Sequence, residues 1–302
     1  MQSQAIDKKQ VKQSLRGILP PLTMPFDRSG KFIPEGIKDI IDWTIKSGAN
    51  GVVAGGSTGE GHTLSSPEFI DAMSATHDAV AGRVPFIAGL IVNSTREAIE
   101  RVNSISDLKI DALQITPVHY LFKPGDDATV EHFREIWEAT GIPILIYNVI
   151  PWNYLSVDLM IRIMDEVPGV VGMKQSSGDL KSVSDLVMKR EPDNIVLSGI
   201  DALLYQSFAL GADGAISALT AGLPSITAEL FACTERGDHD RARAIHFKLS
   251  GLWNALNHDN LPACIKYIQS RQGLPLYEAR RPMESVTYDQ KKGIDEHLTN
   301  IL

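Results

Sequence analysis

Lys174 closes a short apolar run, Val170-Val171-Gly172-Met173, and no other lysine in the chain ends such a run. At the end of a buried strand an ammonium would be poorly solvated, which favours the neutral amine that attacks carbonyl carbon. A structural lysine paired with a carboxylate such as Asp179 is the competing reading. Tyr147 closes the preceding apolar run. Neighbouring strands lie about 4.8 Å apart, so a phenol there can sit beside the amine and shuttle protons as a carbinolamine forms and collapses. After the second apolar run comes Gly55-Gly56-Ser57-Thr58-Gly59-Glu60-Gly61. Its glycines let backbone amides approach an anion, and its two hydroxyls add donors for a carboxylate. The loop lacks the lysine of a phosphate-binding loop. It matches G-x-S-x-G literally, but a nucleophile elbow turns straight into a helix, and here the helical pattern waits until about Ser66.

The elements that must hold these groups recur along the chain. Apolar runs at 18–23, 51–54, 84–89, 110–115, 142–147, 169–174, 195–198 and 214–217 alternate with helical patterns at 34–47, 66–80, 95–108, 128–139, 156–166, 179–189 and 201–210. Runs that are apolar throughout suit strands covered on both faces, and strands joined by helices are parallel. Eight such units predict an α/β fold, a (β/α)8 TIM barrel, in which reactive side chains sit at the C-terminal ends of strands. An open doubly wound sheet is the alternative, weakened because no G-x-G-x-x-G follows the first run. Ser66 and Ser156 are expected as helix N-caps. Residues 1–16 read as a frayed arm, 17–235 as the barrel and 236–302 as a C-terminal helical extension that caps, packs or joins subunits. Trp43 and Trp253 read as packing residues and His62 as a surface residue.

Composition removes several function classes. The chain has 302 residues, 29 Lys+Arg against 37 Asp+Glu, and a net charge of -8, which argues against nucleic acid as a partner. No run approaches the roughly 18 apolar residues of a membrane span. Cys233 and Cys264 lack C-x-x-C spacing and point to a reducing cytoplasm. The eight histidines show no zinc-binding spacing.

Taken in order, Gly56-Ser57-Thr58-Gly59-Glu60, Tyr147-Asn148 and Gly172-Met173-Lys174 resemble the dihydrodipicolinate synthase and N-acetylneuraminate lyase superfamily of Schiff-base aldolases. Thr23-Met24-Pro25-Phe26, Thr116-Pro117, Ser177-Gly178-Asp179, Ser198-Gly199 and the stretch from Gly211 to Ser217 extend the resemblance over about 17–290. It implies a reaction without metal or cofactor, in which Lys174 forms an imine with pyruvate or a pyruvate-derived 2-oxo acid. Catalysis would fall to Lys174, Tyr147 and Thr58, and substrate binding to Ser57, Thr58, Gly199, Ile216, Trp152 and Asn153. A tyrosine from a neighbouring subunit would complete a proton relay, a role for which Tyr120 and His119 are both candidates, in a homo-oligomer, tetramer or dimer.

One departure bears on the second substrate. The lysine-pathway synthases carry Tyr-Asn-x-Pro and then an arginine for the aldehyde's carboxylate; this chain reads Tyr147-Asn148-Val149-Ile150-Pro151-Trp152-Asn153-Tyr154. Neither Trp152 nor Asn153 supplies the bidentate cationic fork of arginine. Sialic acid lyases place acids after the glycine that ends strand seven, where Gly199-Ile200-Asp201-Ala202 keeps one. The first expectation is therefore aldol cleavage or condensation, or dehydration of a 3-deoxy-2-oxo sugar acid. Dihydrodipicolinate synthase stands second, and a non-catalytic barrel that binds a small carboxylate comes from a different class.

Overall fold

The computed structural model describes residues 6–118, 120–256 and 258–302. Eight strands form one sheet: β1 (Gly17–Ile18), β2 (Val52–Ala54), β3 (Phe86–Leu90), β4 (Ala112–Ile115), β5 (Ile144–Asn148), β6 (Val170–Gln175), β7 (Ile195–Ser198) and β8 (Gly214–Ala215). All seven neighbouring pairs are parallel, in the order β1-β8-β7-β6-β5-β4-β3-β2. The ring is completed just past β1, where Val53 N–H donates to the Pro20 carbonyl at 3.0 Å and Leu22 N–H to the Val53 carbonyl at 2.8 Å. The result is the expected (β/α)8 barrel with further helices after it.

Alternation along each strand separates two cores. Leu19, Val53, Ile87, Ala112, Leu145, Val171, Ile195, Leu197 and Ile216 fill the barrel interior, while the other strand face packs against helices through residues such as Val52, Ala88, Leu113 and Ile146. Such a filled interior leaves the loops at the strand ends to build a site.

The N-terminal segment is not frayed over its described part. Lys8–Ser14 is a helix capped by Asp7, whose side chain accepts from Gln10 N–H. Leu15 joins the interior core with Ile6 and Val11 packed against it, and Lys12 pairs with Asp213 at 3.1 Å. The helix Ser66–Val80 is capped by Ser65 rather than Ser66: Ser65 forms a reciprocal capping box with Glu68. Ser156 caps the helix Val157–Glu166 as expected.

Beyond β8 lie the helices Ala218–Gly222, Pro224–Glu235, His239–Ala255, Leu261–Ser270 and Tyr288–Thr299. The segment between the last two returns to the front of the barrel, where Glu278 N–H donates to the Phe26 carbonyl at 3.1 Å. No described helix is long and apolar enough to cross a membrane.

Candidate active site

β5 and β6 are paired in a register that sets Tyr147 directly beside Lys174 at their C-terminal ends. Both side chains are buried, and Lys174 Nζ lies 3.9 Å from the centre of the Tyr147 ring. The Tyr147 hydroxyl then reaches across the barrel mouth to Ser57 Oγ, 3.1 Å away. Asp179, the carboxylate weighed as a structural partner of Lys174, instead caps the helix Leu180–Lys189 and accepts from Lys181 N–H at 2.9 Å.

A cavity of about 390 Å³ opens over this pair. Ser57, Thr58, Tyr147, Lys174 and Gly199 line it. Gly199 is there for want of room: a Cβ would come within 2.7 Å of Lys174 Cε and 2.1 Å of Ser176 Oγ. Asp201, not among the residues singled out for binding, also lines the cavity. Its Oδ1 accepts from Leu219 N–H at 2.6 Å, at the start of the helix Ala218–Gly222. Burial pushes its carboxyl up from the usual range, partly offset by the Leu219 amide, the Ser217 hydroxyl and the charge of Lys174. Its signal was positional, two residues beyond the glycine that follows β7.

Other expected site residues lie elsewhere. Ile216 is wholly inside the barrel core, and its neighbours Ser217 and Ala218 line the cavity in its place. Asn153 is buried and donates its Nδ2 to the Val118 carbonyl at 2.6 Å, so its amide ties two loops together rather than facing the cavity. Trp152 is 66% exposed and is not a lining residue. The cause is the 3₁₀ turn at Pro151–Asn153, which turns the indole outward. Tyr120 is 75% exposed at the tip of its loop, with its amide donating to Asn93 Oδ1. His119 lies outside the described residues. His62 is exposed, as expected.

The extension does more than pack. Trp253, Leu261 and Pro262 form one wall of the cavity, and Trp253 also packs on the core between the last helices. Lys266, which reads in sequence as one of several lysines on helix faces, is 1% exposed and pairs with Glu60, 0% exposed, at 2.6 Å. Lys266 Nζ also donates to the Glu278 carbonyl at 2.7 Å, and Arg280 N–H donates to the other oxygen of Glu60 at 2.7 Å. Glu60 is itself part of the loop that carries Ser57 and Thr58: its N–H donates to the Ser57 carbonyl at 3.0 Å. The loop that carries Ser57 and Thr58 is thus anchored by a buried ion pair to the C-terminal helices.

The family model of the dihydrodipicolinate synthetase family matches residues 14–301. The chain belongs to that family. A 4-hydroxy-tetrahydrodipicolinate synthase of Methanopyrus kandleri is 33% identical over 290 residues, 95% of this chain and 96% of that protein. One of Bradyrhizobium diazoefficiens is 36% identical over 279 residues, 91% of this chain and 93% of the other. Among solved structures, a chloride-inhibited dihydrodipicolinate synthase from Acinetobacter baumannii complexed with pyruvate superposes with a TM-score of 0.87 at 29% identity, covering 95% of this chain and 98% of that one. As a dihydrodipicolinate synthetase family member, the chain is a Schiff-base lyase or synthase by class, and the sequence resemblance is borne out at that level.

Proposed function

We propose that Lys174 condenses with the keto carbon of pyruvate, releasing water to form an imine. Loss of a C3 proton gives the enamine, whose carbon then attacks an aldehyde. The observation that carries this reading is the buried amine of Lys174 lying 3.9 Å from the ring of Tyr147, whose hydroxyl meets Ser57 at 3.1 Å. In this reading Tyr147 moves protons to and from the carbinolamine, with Ser57 as its partner. The Ser57 and Thr58 segment holds the carboxylate, and Gly199 leaves the lysine its space. Tyr120, exposed on its loop, extends the relay from a second copy of the chain.

The aldehyde is the open part. Relatives at 33–36% identity that carry the name 4-hydroxy-tetrahydrodipicolinate synthase support that synthesis above the aldol cleavage or dehydration ranked first from sequence. One observation favours a longer 2-oxo acid as a second reading. Among the described residues lining the cavity Lys174 is the one basic side chain, and Trp152-Asn153-Tyr154 rather than an arginine stands directly after Pro151. Incubation with pyruvate and borohydride should add a reduced adduct at Lys174 that Lys174→Ala abolishes; an unmodified wild type would sink the imine. Turnover with pyruvate and aspartate semialdehyde then supports the synthase. Pyruvate release from a longer acid supports the lyase, and trapping without any turnover supports a binding barrel.

A further inference from the structure

Two arginines have no protein partner, and the fold brings both to one cavity. Every other arginine of the chain donates from its guanidinium to a protein acceptor, whereas Arg28 and Arg281 make no side-chain hydrogen bond or ion pair among the described residues. Both are exposed, and both line a cavity of about 560 Å³ at the front of the barrel, which shares no residue with the one over Lys174.

The walls of this cavity are fixed. Asp27 Oδ1 accepts from the Ser29 and Lys31 amides at 2.8 and 3.0 Å, which closes the turn that carries Arg28. Phe26, just before that turn, pairs with Glu278 of the opposite wall. Arg280 ties the two walls together: its Nε donates to the Gly30 carbonyl at 2.9 Å while Glu68 meets its charge. Arg280 is therefore a strut, and the unmet charge belongs to Arg28 and Arg281. Glu278 and Ser285 also line the cavity, with no ion pair on the Glu278 carboxylate and no hydrogen bond on the Ser285 hydroxyl among the described residues.

These groups select the chemistry of a ligand. Two guanidiniums present planar forks and two positive charges, which match the dianion of a phosphate monoester. An ionised Glu278 carboxylate only accepts hydrogen bonds, so the body attached to the phosphate must bring hydroxyl donors. The volume is that of a small-molecule site. We infer that this cavity binds a phosphorylated polyol, and that its occupancy steadies the loop carrying Ser57 and Thr58. The link to the loop is a continuous set of contacts. The Arg280 amide, next to Arg281, donates to Glu60 Oε2 at 2.7 Å, and Lys266 Nζ bridges the Glu278 carbonyl at 2.7 Å and Glu60 Oε1 at 2.6 Å. Glu60 N–H in turn donates to the Ser57 carbonyl. A ligand that clamps Arg281 and Glu278 therefore holds the segment to which Glu60 is anchored.

The probe is glucose 6-phosphate, with glucose and inorganic phosphate as its two halves, titrated calorimetrically into the full chain at low ionic strength. Saturable binding is expected for the ester, weaker binding for phosphate and none for glucose. Arg28→Gln and Arg281→Gln should each weaken it about tenfold. Arg96→Gln, which removes the same charge from an exposed helix face, should leave it unchanged. Because Arg28 and Arg281 are exposed and unpaired, both variants should melt with the wild type. Hydrogen exchange read by mass should slow about threefold in the peptide 57–61 when the ester is bound, and not in Arg281→Gln at the same concentration. No saturable heat up to about 10 mM, or binding unchanged in both variants, overturns the site, since the two guanidiniums are then only solvated. Equal binding of alanine, a zwitterion, overturns phosphate as the recognised group, and equal binding of glucose does the same. Binding with no change in exchange at 57–61 overturns the link to the loop. No arm uses pyruvate, so failure of the imine reading at Lys174 leaves each of these outcomes decisive.

Discussion

Lys266→Met removes one ammonium from the buried pair and leaves a side chain of similar length. Glu60 then keeps its charge at 0% exposure with the Arg280 amide still donating to Oε2, while Oε1 loses the Lys266 donor 2.6 Å away. Breaking a buried pair from one side typically destabilises by about 3–5 kcal/mol, since the remaining charge is uncompensated. For a chain of this size each kcal/mol moves the midpoint by about 2 °C, so a fall of about 6–10 °C is expected by calorimetry at pH 7. Neutralising the partner should restore part of this. The double variant Glu60→Gln/Lys266→Met should lose clearly less than the sum of the two single changes. Because Glu60 is bonded to the Ser57 carbonyl, the pyruvate concentration needed for half-maximal trapping should rise in Lys266→Met while the adduct still forms. A melting point within 2 °C of the wild type would refute the view that this pair anchors the loop.

Gly199→Ala should keep its circular dichroism yet lose about 100-fold in trapping rate, because the added methyl needs the space of Lys174 Cε, 2.7 Å away, and a displacement of that order misaligns the nucleophile. Ser57→Ala deprives the Tyr147 hydroxyl of its partner, so kcat should fall about 10²-fold by steady-state assay while melting is unchanged. His132 is buried, with Nδ1 2.9 Å from Thr95 Oγ1, and burial pushes its imidazolium pKa down to about 4. Between pH 6.5 and about 4 the unfolded chain takes a proton that the folded one refuses. Stability should therefore fall with pH across that window by about 3 kcal/mol. Urea unfolding at pH 7, 5 and 4 should show this slope, and His132→Gln should lose it.

The barrel was legible because its signal repeats. Each strand is an apolar run buried on both faces, and eight of them separated by helical spacing admit few arrangements. Element ends were less so. Ser65 and Ser66 are equal as caps by residue type, and the tie is broken by Glu68, which stands three residues after Ser65 and completes the box. The helix Lys8–Ser14 has the sequence KKQVKQS and no buried residue of its own, so it carries almost no amphipathic signal. What holds it is tertiary: Leu15 plugs the barrel, and Lys8 donates to the Met164 carbonyl at 2.9 Å. The outward turn of Trp152 was equally invisible, since the 3₁₀ turn at Pro151–Asn153 rotates a side chain without altering composition.

Lys174 and Tyr147 could be found because position at a strand end is itself a chemical statement. Lys266 and Gln114 could not be found by that rule, although the sequence does contain a trace of each. Lys266 sits in LPACIKYIQS, where the surrounding residues are apolar on nearly every side, and a helix of that composition has little solvated face to offer an ammonium. A buried lysine demands an acid, and here the acid is 206 residues earlier, in a loop whose glycines drew attention to its amides instead. Gln114 interrupts Ala112-Leu113-Gln114-Ile115 at an inward position, where an aliphatic residue of the same size would be more favourable to folding. In both cases the informative residue is a polar side chain in a segment that is otherwise apolar. For Lys266 the partner that explains it is supplied by the closure of the barrel, which brings the loop after β2 against the C-terminal helices.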